Sequence, residues 1–159
     1  MSGTIRLALR IGRGGVYDGI EGDDPVAVLR SLSETVDLPP GLDRESLLVA
    51  LLDREALMST ALGDGIAVPH PREPLVREEV DERVAVCFPR RPVPYAALDR
   101  KPVFALFLIL SADTRSHLYT LSELSFLCRR PDFRDFLAGR PSLPDLTGWI
   151  RRAESSWKR

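Results

Sequence analysis

Val103-Phe104-Ala105-Leu106-Phe107-Leu108-Ile109-Leu110 is an unbroken apolar run of eight residues. It has no alternation of apolar and polar positions, so it predicts a central β-strand covered on both faces. It is far too short for a membrane span, which takes about 20 residues. Downstream, Asp113 is placed to cap a long helix running to about Arg129, with Leu118, Leu121, Leu124 and Leu127 on its core side. Pro131 opens a short helix bearing Phe133, Phe136 and Leu137, and Gly139 ends it. A last helix starts near Pro144 and carries Leu146, Trp149 and Ile150. Upstream, Val84 to Phe88 reads as a strand, and residues 89–101, rich in Pro and Arg, as a loop. Gly15 to Ile20 reads as a first strand. Asp24 caps a helix over 25–36 with Pro25 at its first position and Val26, Leu29, Leu32 and Val36 as its apolar stripe. Leu38-Pro39-Pro40-Gly41 breaks it. Asp43 caps a second helix, with Leu47, Leu48, Leu51 and Leu52 buried, ending near Asp53 or Arg54. Residues 1–14 are basic and weakly periodic and read as an N-terminal arm or stub. Helices intermixed with a few strands, one of them fully buried, predict an α/β layered domain.

A chain of 159 residues is one domain by length. An apolar fraction of 44% and a charged fraction of 28% are ordinary for a soluble globular protein. The net charge of −1 gives no basic field for nucleic acid. Cys87 and Cys128 each sit in an apolar run, far apart, and read as reduced core residues of a cytosolic protein. The first residues contain no uninterrupted apolar stretch of the signal-peptide kind. A cytoplasmic protein is expected, with any membrane role exerted through a partner.

The segment most suited to chemistry is Gly63-Asp64-Gly65-Ile66-Ala67-Val68-Pro69-His70. Pro69 fixes its own φ, and Pro71 pushes His70 toward an extended backbone. The chain has two histidines, His70 and His117. His117 falls near the start of the helix after the buried strand. Sites in α/β folds gather beyond the carboxyl ends of strands, and helix-start N–H groups favour an anion there. Arg54 offers a guanidinium fork, and Ser59 and Thr60 offer hydroxyls, all suited to phosphoryl oxygens. Each also has a plainer role: Arg54 offsetting a helix C-terminus, His117 pairing with Asp113, Ser59 and Thr60 as turn hydroxyls. Zinc on the two histidines with Asp64 or Asp113 finds no supporting spacing.

Three pieces in order resemble enzyme IIA of the fructose/mannitol class of the bacterial phosphotransferase system. They are Arg54-Glu55 with Ser59-Thr60; Gly63 to His70; and Asp99-Arg100-Lys101-Pro102-Val103 leading through the apolar run to Ser116-His117-Leu118. Gly14-Gly15-Val16-Tyr17 and the helix after it resemble the nitrogen-regulatory branch more than the sugar-specific members. The likeness covers roughly residues 15 to 150, with a type-2 IIA domain expected over 15–159. The sequence departs from the family pattern at Pro71-Arg72-Glu73-Pro74, at Ala61-Leu62 and at Arg100, where glycine is usual. These residues are expected to rim the site.

The resemblance implies a mixed sheet of about five strands sandwiched between helices. It implies that His70 accepts a phosphoryl group from a phospho-HPr-like donor and passes it to an enzyme IIB or holds it as a regulatory mark. His117 would hydrogen-bond the imidazole or phosphoryl group, Arg54 would neutralise charge, and Thr60 would line the pocket. No metal or nucleotide cofactor is implied. An alternative on the same resemblance is a binding module that controls a transporter, kinase or transcription partner according to its phosphorylation state. A weaker one is a degenerate relative that only binds.

Overall fold

In the computed structural model, which describes residues 7–157, the apolar run becomes the middle strand of a sheet. Strands β1 (Val16–Ile20), β2 (Ala61–Gly63), β3 (Ile66–Ala67), β4 (Arg83–Pro89) and β5 (Ala105–Leu110) form one five-stranded sheet in the order β1-β4-β5-β3-β2. β4 and β5 pair antiparallel, from Arg83 opposite Leu110 to Cys87 opposite Leu106. β1 runs parallel to β4, and β3 runs parallel to β5. The sheet is therefore mixed, as expected.

Every residue of β5 is buried. Ala105, Phe107 and Ile109 face one core with Val84, Val86 and Phe88 of β4. Leu106, Leu108 and Leu110 face the other, with Ala85 and Cys87. Two-residue alternation thus persists, but both faces are apolar because helices cover both. The first face is covered by α1 (Leu7–Gly14), α4 (Thr114–Cys128), α5 (Pro131–Ala138) and α6 (Leu143–Trp157). The second is covered by α2 (Pro25–Thr35) and α3 (Arg44–Leu57). Asp24, Asp43 and Asp113 cap α2, α3 and α4, each accepting a backbone N–H at 2.7–2.8 Å. Cys87 and Cys128 are buried free thiols. Among the described residues, no helix is long and apolar enough to cross a membrane.

Four expectations need correction. The stretch expected to be an arm is, from residue 7, an integral helix: Leu7, Ala8 and Ile11 are buried against the sheet. Residues 1–6 lie outside the described residues. Gly14 lets α1 descend onto β4, since a Cβ there would meet the Val84 carbonyl oxygen at 2.0 Å. In α2, Val28 is buried and Val26 exposed; the packed face centres on Val28, Leu32 and Val36, and Val26 lies well off it. In α4, Leu124 and Leu127 are buried but Leu118 is exposed. A strict three-residue row slips round a 3.6-residue helix by about 60° per step, so its two ends reach opposite faces. Finally, α3 runs on to Leu57, which puts Arg54 and Glu55 on its last turn.

Candidate functional site

Because β3 and β5 are parallel, both release their chains at the same edge of the sheet. Val68-Pro69-His70 leaves β3, and Pro69 still accepts a hydrogen bond from the Ile109 N–H at 3.0 Å. Ser111 follows β5, and α4 starts three residues later with His117 on its first turn. Strand pairing thus converts a separation of 47 positions between the two histidines into ring contact: the centroids are 4.5 Å apart with the planes inclined at 42°. The turn before β3 is braced by the loop that leads into the neighbouring β5. Asp99 accepts the Asp64 N–H at 2.7 Å, and Lys101 pairs with Asp64 at 3.4 Å. Gly65, at φ +85°, leaves room for Phe104, whose ring a Cβ would meet at 2.5 Å. Arg100 sits at φ +64°, the left-handed conformation that makes glycine usual at this turn.

A cleft of about 220 Å³ opens at this edge. Arg54, His70 and His117 line it together, as expected, with Arg72, Glu73, Ser111, Asp113 and Thr114. The Arg72-Glu73 departure does rim the site. Asp113 was legible as a helix cap and as a partner for His117, not as lining of a phosphoryl cleft. Ser111 and Thr114 were missed, although the rule about strand ends points at both.

The Nδ1 of His70 lies 2.8 Å from the Val68 carbonyl oxygen. A carbonyl only accepts, so Nδ1 carries the proton and Nε2 keeps its lone pair. Burial, above all, lowers the His70 pKa to about 4, against the opposing pull of the Val68 carbonyl; His117 and Arg54 add to the lowering. His117 is lowered too, by burial and then by Arg54. His70 is thus a neutral imidazole with one free nitrogen at any physiological pH. Arg54 spends one N–H on the Met58 carbonyl at 2.7 Å, at the end of its own helix. Both roles weighed for it, dipole offset and cleft cation, coexist.

Thr60 does not line the cleft. It is buried, its hydroxyl donating to Glu55 Oε1 at 2.7 Å and its N–H to Glu55 Oε2 at 2.8 Å. Its carbonyl accepts the Val68 N–H at 2.9 Å. Thr60 therefore acts behind the site, fixing the residue whose carbonyl orients His70. Ser59 also turns away, donating to the Tyr95 carbonyl at 2.5 Å.

The family model described as "Phosphoenolpyruvate-dependent sugar phosphotransferase system, EIIA 2" matches residues 26–142. A nitrogen regulatory protein of Pseudomonas aeruginosa is 33% identical over 141 residues, covering 87% of this chain and 90% of that one. A fructose-specific EIIA component of Haloferax volcanii is 36% identical over 97 residues, covering 60% of this chain and 61% of that one. The crystal structure of the nitrogen regulatory protein IIA-Ntr from Neisseria meningitidis superposes with a TM-score of 0.74 at 26% identity, covering 84% of this chain and 91% of that one.

Proposed function

Because the chain belongs to the phosphoenolpyruvate-dependent sugar phosphotransferase system EIIA 2 family, we propose that the histidine on which it carries its phosphoryl group is His70. The chain is a phosphotransferase component, and the unit that does this work includes α1 as well as residues 15–159. The observation that carries the assignment is the Nδ1 contact to the Val68 carbonyl.

Nε2 attacks the phosphorus of a phospho-HPr-like donor. The new N–P bond forms as the donor's N–P bond breaks, and the donor nitrogen keeps that electron pair. The His70 ring then holds a proton on Nδ1 and the phosphoryl on Nε2, with positive charge developing in the ring. The Val68 carbonyl faces that charge. Arg54 offers its remaining N–H groups, and His117 a ring N–H, to the phosphoryl oxygens. Little covalent chemistry is asked of the protein; the cleft supplies in-line positioning and charge stabilisation.

The likeness to nitrogen regulatory proteins over most of the chain favours a regulatory role over sugar transport. In that role the phosphoryl group on His70 sets whether a protein target binds, by adding an anion to the rim of the cleft. An enzyme IIB is the acceptor in the transport alternative. A cytoplasmic setting follows from a donor of the HPr kind; no nucleic-acid or direct membrane contact enters.

The test is to mix the protein with phosphoenolpyruvate, enzyme I and HPr and to follow intact mass beside a His70→Ala variant. One acid-labile phosphoryl on the wild type and none on the variant is expected. Equal labelling of both would overturn the assignment.

A further inference from the structure

Behind the cleft lies a charge pair that the chemistry above does not use. Arg10 of α1 and Glu82, the residue before β4, are each more than nine-tenths buried, with Nη2 and Oε1 3.1 Å apart. Both also grip the segment between β5 and His117. Glu82 accepts the Ala112 N–H on Oε2 at 2.8 Å, and Arg10 Nη2 donates to Ser116 Oγ at 3.2 Å. Ala112 lies between Ser111 and Asp113, which line the cleft, and Ser116 immediately precedes His117. Glu82 reaches this place because β4 starts where β5 ends, with Arg83 opposite Leu110.

A buried ion pair adds little net stability, since desolvation offsets its attraction. Its value here lies in where its spare hydrogen bonds go. Resting on the assignment of His70 as phosphoryl acceptor, we propose that Arg10 and Glu82 are positioning residues of the phosphotransfer site. They clamp the start of α4 at two points, Ala112 just before its cap and Ser116 in its first turn, and thereby fix His117 against His70. They touch neither the phosphoryl group nor the donor. Small displacements of a positioned group cost about a hundred-fold in rate when they reach 1 Å, which gives such a clamp its leverage.

The experiment compares wild type with the double variant Arg10→Met/Glu82→Met. Removing both charges together avoids leaving either buried alone. The maximum rate of phosphoryl transfer from phospho-HPr is expected to fall about ten-fold or more, with the half-saturating phospho-HPr concentration unchanged, because the donor's surface is untouched. In the unphosphorylated protein, the imidazole cross-peaks of His117 are expected to move, and by more than those of His70, which feels the change only through the neighbouring ring. Arg10→Lys, which keeps the charge, should recover part of the rate. A double variant with wild-type rate and unmoved His117 signals overturns the inference. If the double variant does not fold, Ser116→Ala decides. A roughly three-fold slower transfer supports the clamp, and an unchanged rate overturns it. If wild-type protein itself takes no phosphoryl group from charged HPr, the assignment of His70 has failed, and the His117 signals alone judge the clamp.

Discussion

His70 and His117 touch, yet they are held by different means. His70 is fixed by its own neighbours in sequence: prolines on either side and a hydrogen bond to the carbonyl two residues back. His117 rides on a helix whose start is anchored from behind by residues 30 or more positions away. The proposed nucleophile is locally encoded, and its companion is placed by the fold. A group whose orientation decides the reacting nitrogen gains from short-range control, which survives breathing of the domain. A group that must be aimed at the transferring charge from another element depends on packing and on the anchor behind it.

The sharpest break between the two is complete loss against slowing. His70→Ala should abolish phosphoryl acceptance in the mass assay. His117→Ala should keep it and slow it about a hundred-fold, the usual worth of one oriented donor to developing charge, as read in single-turnover kinetics. Arg54→Lys keeps the cation but loses the fork and should cost about ten-fold in the same assay.

Thr60→Val leaves the cleft lining intact but removes a bond to a carboxylate. It should destabilise the fold by about 1.5–3 kcal/mol in urea unfolding, with a smaller effect on transfer than His117→Ala. A transfer defect larger than that of His117→Ala would return Thr60 to the cleft.

Titration sharpens the comparison further. The His70 pKa falls from 6.5 to about 4 on folding. Between those values the unfolded chain binds a proton that the folded one does not, so stability from this group is present above pH 6.5 and fades as pH drops toward 4. Transfer should accordingly stay level where a free imidazole would already be half protonated, and a fall in rate centred near pH 6.5 would contradict the burial of His70. Glu123 of α4 has the opposite sense. Burial, chiefly, raises its pKa from 4.5 to about 7, Arg10 opposing and Glu154 reinforcing. Its contribution to stability is fullest below pH 4.5 and is lost as pH rises through about 7. Glu123→Gln should therefore raise the melting temperature relative to wild type above pH 7, with less effect below pH 5.

The same local-against-distant contrast explains what the sequence made legible. The central strand, the three aspartate caps and the glycine turn are written in short windows, and all appear as expected. His70, His117 and Arg54 were found through spacing and resemblance. The distant features were not. Arg10 sits in a stretch that is only two turns long, basic and glycine-containing, so α1 read as an arm although Leu7, Ala8 and Ile11 share one buried face. Glu82 is one of four acids in the five residues before β4, and no pattern marks it as the buried one. Thr60 belongs to the motif, but nothing in the motif says that its side chain faces Glu55 and not the cleft. Such roles depend on which elements the sheet order brings together.

The central claim is that His70 is charged on Nε2 while the Val68 carbonyl keeps the proton on Nδ1. Long-range ¹H–¹⁵N correlation of the phosphorylated protein tests it most directly. The expected spectrum shows phosphorus coupling at Nε2 of His70 and a protonated Nδ1. Coupling at Nδ1, or at either nitrogen of His117, would contradict it.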